Sequence, residues 1–191
     1  MLTGQEIIDQ VTNKRIFISP FEKNRVNPNS YNLRLSDIIL EVVPDKNGVI
    51  DPRSPYDVKQ VMPIDRDSSI FFGDRKLTDE NAKAFLLEPH KLYLSSTIET
   101  TGSDFYVPML SGRSSVARCG IEVHRTAGFG DIGFCGTWTL EITVVYPTIL
   151  VAGMEIAQVY FEEPMGQTNI KYHGKYQSQT DPQISKFYTE L

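Results

Sequence analysis

Thr137-Trp138-Thr139-Leu140-Glu141-Ile142-Thr143-Val144 is dominated by β-branched and aromatic residues, the types that fit a pleated, half-buried surface. The run therefore reads as a strand with Glu141 in its interior, where an unpaired carboxylate is costly. A carboxylate kept in such a place is expected to have a purpose. Upstream lies Gly112-Arg113-Ser114-Ser115-Val116-Ala117-Arg118. One glycine, two arginines and two adjacent serines offer backbone N–H groups, hydroxyls and guanidinium forks, the inventory for a polyphosphate. A short helix is expected between Gly112 and Gly120, its N-terminal N–H groups adding to the anion site. The same residues also fit a plain surface helix with Arg113 and Arg118 solvated.

Outward from these two runs the chain reads mainly as β. Tyr31–Leu35, Ile38–Val43, Ser69–Phe72, Lys91–Thr97, Phe105–Leu110, Ile121–His124 and Glu155–Phe161 are short apolar runs separated by Asn, Pro, Asp and Gly clusters. Their spacing predicts a barrel or jelly roll. Before them, Thr3-Gly4-Gln5-Glu6 matches a capping box, and Ile7, Ile8 and Val11 follow at helical spacing, so a short N-terminal helix is expected. Residues 44–67 are rich in Pro, Asp and Arg and poor in large apolar side chains, which reads as a long surface excursion. The tail from Lys171 to Leu191 is polar yet keeps Tyr172, Tyr176, Phe187 and Tyr188, too aromatic for simple disorder and suited to closing over a ligand.

A length of 191 residues with 40% hydrophobic content fits one domain, 1–191, with a real core. The formal charge of −5 argues against nonspecific nucleic-acid binding, so a small ligand is expected. No apolar run is long enough to span a bilayer and the first residues lack a signal-peptide pattern, which predicts a cytoplasmic protein without membrane attachment. Cys119 and Cys135 have no CxxC partner and read as buried thiols. Trp138 reads as a core aromatic and Cys135 as packing, whereas Phe134, just after a glycine-rich loop, is the better stacking candidate.

Gly112–Arg118, the loop His124-Arg125-Thr126-Ala127-Gly128-Phe129-Gly130-Asp131, and Thr139-Leu140-Glu141 together resemble the dCTP deaminases of the dUTPase-like superfamily. Pro28–Leu35 resembles that family's N-terminal strand, and Gly174–Gln179 its C-terminal ligand-covering segment, here 171–191. The resemblance implies a mainly β, distorted barrel or jelly roll assembled as a homotrimer, with sites between subunits. It also implies hydrolytic, metal-independent conversion of dCTP to dUTP and ammonia, which several members continue to dUMP and pyrophosphate. In that scheme Glu141 is the general acid and base. Ser114 and Arg118 hold the nucleophilic water, assisted by the backbone of Ala127. Arg113, Ser115, Lys175 and Gln179 match triphosphate ligands. Asp131 matches the ligand of the sugar 3′-hydroxyl and Phe134 the ring that packs on the sugar. Gln158 and Tyr172 match further nucleotide contacts, with Val116, Ala117, Thr139 and Leu140 completing the substrate-binding motifs. Mg²⁺ is expected to arrive on the substrate triphosphate, and dTTP stands as a candidate feedback inhibitor.

Zinc nucleobase deaminases need H-x-E and P-C-x-x-C patterns, and neither occurs in this sequence. Glu122-Val123-His124 is expected to place its outer side chains on one strand face in a structural hydrogen bond. A stand-alone dUTPase would not need Glu141, and a noncatalytic nucleotide-binding trimer would have lost it. As to product, Gly128 and Phe129 lean toward two-step members. Gly130, where a branched apolar residue is usual, and Ile132, where Pro or Ala is common, suggest a more flexible loop beside Asp131. On that ground single-step release of dUTP is the favoured expectation, with dUMP formation close behind.

Overall fold

The computed structural model describes residues 1–64 and 82–190. Its first helix, α1 (Gly4–Thr12), starts as the sequence predicts, with the Glu6 N–H donating to Thr3 Oγ1 at 3.3 Å. Only half of the capping box forms, because the Glu6 carboxylate accepts instead from Gln10 Nε2 at 2.5 Å. Ile7 is fully buried, and the Leu2 N–H donates to Phe161 O at 2.8 Å, seating the helix on the barrel wall.

The strands are β1 (Ile16–Ser19), β2 (Tyr31–Val43), β3 (Asp57–Gln60), β4 (Ala84–Leu87), β5 (Tyr93–Ser103), β6 (Val107–Gly112), β7 (Ile121–Glu122), β8 (Cys135–Val144), β9 (Thr148–Val151) and β10 (Glu155–Glu162). A second helix, α2 (Ser114–Ala117), joins β6 to β7. The main sheet runs β6-β10-β2-β5-β8-β7, with β1 added to β5 and β3 to β2, and every pairing is antiparallel. β4 and β9 form a separate ribbon. The segment after β7 nearly closes the main sheet: Val123 O accepts from Glu141 N, Gly128 O from Leu110 N, and Gly130 N donates to Pro108 O. The architecture is therefore mainly β and barrel-like, as expected.

Several expected elements shift. Tyr31–Leu35 and Ile38–Val43 are one strand, β2, whose register against β5 breaks between Leu35 and Ile39. The same neighbourhood breaks the β5–β8 register between Ser96 and Thr100, and Glu99 lies in that irregular stretch. Its carboxylate is fully buried and accepts from Arg34 N at 2.8 Å and Arg34 Nε at 2.6 Å. The predicted surface excursion carries β3, paired with the end of β2, while its residues 65–67 and the expected strand Ser69–Phe72 lie outside the described residues.

The core is lined by Tyr31, Leu33, Leu35, Ile39, Phe85, Leu87, Tyr93, Leu140, Ile142, Leu150, Ile156 and Phe161. Along β8 the even-numbered side chains Trp138, Leu140, Ile142 and Val144 point into it, which turns Thr139 and Glu141 toward the opposite face. Cys119 corrects an expectation: it is exposed, since α2 lies on the surface and buries only Val116. Among the described residues no helix is long and apolar enough to cross a membrane.

Candidate active site

Glu141 opens onto a cavity of about 560 Å³. Its Oε2 accepts the Arg125 backbone N–H at 2.9 Å, and the Glu141 N–H donates to Val123 O at 3.1 Å, so β8 and the segment after β7 fix the carboxylate between them. Around it stand Thr126, Ala127, Asp131, Phe134, Trp138, Thr139 and Tyr172. The aromatic wall is a packed cluster: Phe134 packs on Trp138 at 5.7 Å between ring centroids and edge-on to Tyr172 at 5.8 Å. Trp138 Nε1 donates to Thr101 Oγ1 at 2.8 Å, which satisfies its polar edge inside the core. An aromatic-lined pocket with a carboxylate held in place by a backbone N–H suits a flat heterocycle on which a proton must be moved.

The loop leading to Asp131 is held tightly. A Cβ on Gly130 would lie 2.5 Å from Trp138 Cη2 and 2.9 Å from Pro108 O, and one on Gly128 would lie 2.5 Å from Leu110 O. Both glycines let the loop lie flat on β6, where Met109 and Phe129 form an isolated bridge. The expected looseness at Gly130 is thus replaced by close packing; here the missing side chain matters for its size.

The tail forms the far wall. Ser178 N donates to Cys135 O (2.9 Å), Thr137 N to Gln179 O (2.9 Å), and Gln179 Nε2 to Thr137 O (2.7 Å), laying the segment along β8. Gln183 N then reaches Thr139 Oγ1 (3.2 Å), and Ser185 N donates to the Tyr56 hydroxyl (3.1 Å). Half-buried Cys135 beneath this strap is packing: burial first, and Asp104 second, push its thiol pKa up, away from a nucleophilic thiolate.

A second cleft of about 490 Å³ is lined by Gly112, Arg113, Ser114, Ser115 and Ala117, with Asn27, Asn32, Ser111 and Gln158. Arg113 Nη1 donates to Glu155 O and pairs with Glu155 Oε2, both at 2.9 Å. Gln158 Nε2 donates to Gly112 O (3.0 Å) and its Oε1 accepts from Ser30 Oγ (2.8 Å). Arginine, two exposed hydroxyls and amides, without a lining carboxylate, make this the cleft suited to phosphates. The α2 helix is only four residues long, so it adds little dipole to the serines and to Arg113.

The family model described as dCTP deaminase-like matches residues 1–164. The chain belongs to the dCTP deaminase-like family. Over its whole length it is 42% identical to a protein of Hathewaya histolytica named "dCTP deaminase, dUMP-forming", covering 99% of that protein. It is 40% identical to proteins of the same name from Clostridium beijerinckii and Cytophaga hutchinsonii, covering 98% of each. In fold it is similar to the crystal structure of 2′-deoxycytidine 5′-triphosphate deaminase from Agrobacterium tumefaciens, with a TM-score of 0.56 and 16% identity. That match takes in 85% of this chain and 47% of the other.

Within this dCTP deaminase-like chain the expected site residues divide. Glu141, Ala127, Asp131, Phe134, Thr139, Tyr172 and Gln179 line the first cavity, and Arg113, Ser114, Ser115, Ala117 and Gln158 the second; the two cavities share no lining residue. Val116 and Leu140 are buried in the core, so their side chains reach neither cavity. Arg118 is exposed and outside both. Lys175 is also outside: its Nζ donates to Lys186 O (3.0 Å), pairs with Glu190 and lies over the Tyr176 ring.

The expected Glu122–His124 hydrogen bond is absent. β7 ends at Glu122, whose exposed carboxylate accepts from Arg125 Nη1 and Thr143 Oγ1, both at 2.7 Å. His124 Nδ1 is buried without a hydrogen-bond partner among the described residues. Sequence reading missed Tyr56, Arg125, Gln183, Ile184 and Ser185 in the first cavity and Asn27 and Asn32 in the second. Asn32 sits inside Pro28–Leu35, a signal that could have found it, whereas Tyr56 lies in a polar excursion with no periodicity.

Proposed function

We propose that this protein deaminates dCTP hydrolytically and carries the product on to dUMP and pyrophosphate. The observation that carries the deamination is Glu141, a carboxylate fixed by the Arg125 N–H on the wall of an aromatic-lined cavity. There it takes a proton from water as the oxygen adds to C4 of cytosine and passes it to N3, then takes the remaining proton from the adduct hydroxyl and passes it to the amine, so that the oxygen stays as the C4 carbonyl and the amino group leaves as ammonia. Substrate binding rests on Arg113, Ser114 and Ser115 for the phosphates and on Phe134 and Tyr172 for the sugar side. Mg²⁺, where bound, would sit on phosphate oxygens and water, because the phosphate cleft offers no carboxylate ligand.

The second step is supported by the names of the relatives and by the loop. The case for stopping at dUTP rested on the unusual Gly130 and Ile132 beside Asp131, and of these Gly130 is packed closely against Trp138 and Pro108. Asp131 lines the same cavity as Glu141, which suits it to activate a water toward the α-phosphate once ammonia has left. In a dCTP time course with no other enzyme, dUMP and pyrophosphate are expected to appear in step with ammonia. Accumulation of dUTP would restore the single-step reading.

A homotrimer with shared sites accounts for the separation of the base cavity from the phosphate cleft, and exposed Phe129, Val145, Tyr146 and Ile170 offer apolar surface for it. Glu141→Gln and Arg113→Ala subunits, each inactive alone, should regain about a quarter of wild-type activity when co-refolded in equal amounts, since about one site in four then has both halves intact. Mixtures that stay inactive would place the site within one chain.

A further inference from the structure

Glu155, at the start of β10, reads in the sequence only as a strand residue and belongs to none of the site motifs, yet its carboxylate meets three side-chain donors beside the phosphate cleft. Oε1 accepts from Arg25 Nη1 at 2.7 Å, and Oε2 accepts from Asn32 Nδ2 at 2.8 Å and pairs with Arg113 Nη1 at 2.9 Å. The Glu155 carbonyl takes the same Arg113 nitrogen at 2.9 Å. One end of the Arg113 fork is thereby clamped from two directions, while Nε and Nη2 make no hydrogen bond among the described residues. A guanidinium with one corner fixed and its remaining N–H groups at a cleft is prepared for a phosphate, because its rotamer freedom has been removed in advance.

We propose that Glu155 is a positioning residue that sets Arg113 for the triphosphate; this rests on the reading of the second cleft as a phosphate site. A glutamine cannot replace it. Three donors (Arg25, Asn32 and Arg113) converge on two carboxylate oxygens, and an amide would turn an NH₂ toward at least one of them. Glu155 also neutralises part of the Arg113 charge, so its removal alone would favour anion binding. Loss of the clamp outweighs that gain, because a cleft open to water screens the charge while a free arginine must be ordered again at each binding event.

The test compares wild type, Glu155→Gln and Glu155→Asp, the last keeping the charge and shortening the reach by one methylene. Glu155→Gln should raise KM for dCTP about tenfold, the value of one charged hydrogen bond, with kcat changed less than about twofold. Glu155→Asp should fall between it and wild type. Kd for inorganic tripolyphosphate, measured by calorimetry, should follow KM. In an Arg113→Ala background, inactive and so read by Kd for tripolyphosphate alone, Glu155→Gln should add less than about twofold, because its effect runs through Arg113. Unchanged KM and Kd in both variants, or a full effect persisting without Arg113, would overturn the assignment. A wild-type protein that binds no tripolyphosphate would overturn the cleft reading itself, whereas one that binds it with Glu155 dependence but leaves dCTP intact would overturn only the proposed reaction.

Discussion

Glu141→Gln is expected to lower dCTP deamination by about two to four decades, the range attributed to a positioned acid and base. The amide keeps the shape and can still accept the Arg125 N–H, so the cavity should persist. What disappears is a group able to take a proton from water and hand it on. The measurement is initial ammonia release at saturating dCTP, read beside the thermal unfolding midpoint. Turnover near wild type with an unchanged midpoint would remove Glu141 from the chemistry.

The second large effect falls on stability. Glu99→Ala should destabilise the fold by about 3 kcal/mol, the lower end of the cost of orphaning a buried charge. The lower end applies because Arg34 is 17% exposed and keeps Glu22 as a second partner at 3.2 Å. Urea unfolding gives the number. Replacing both partners at once, Glu99→Leu with Arg34→Met, should recover most of it, since an apolar pair leaves no charge unpaired. A single Glu99→Ala variant with an unshifted midpoint would show that the pair contributes nothing.

These two glutamates show what the sequence made legible. The strand pattern singled out Glu141 as a carboxylate buried in a strand interior, and the structure places it differently. Glu141 is on the cavity side of β8 and half-buried; among the described residues the carboxylate buried without exposure is Glu99, which no motif singled out. Alternation along β8 was readable because its inward residues are large and apolar. Glu99 lies where the β5–β8 register slips, and a register break has no local signature. The long strands and α1 were legible from their periodicity. β1, β3, β4 and β9, each four residues long, were too short to show any. The glycines of the 124–131 loop were visible, but their meaning depended on Trp138 and Pro108, partners that only the folded chain brings near. Likewise the placing of the expected site residues in two separate clefts follows from strand order, which side-chain patterns along the chain do not encode.

The tail laid along β8 has a consequence of another kind. Between Cys135 and Thr137 the strand has β5 on one side, and on the other its amide and carbonyl groups are taken up by Ser178 and Gln179. Without that strap the strand would present an open row of hydrogen-bonding groups next to apolar surface, the template on which sheets from separate molecules join. The segment around Ser178 and Gln179 therefore covers a strand edge that could pair with another molecule, as well as bordering the cavity. A chain clipped near residue 170 should lose solubility as well as nucleotide turnover, and the two losses would share one cause.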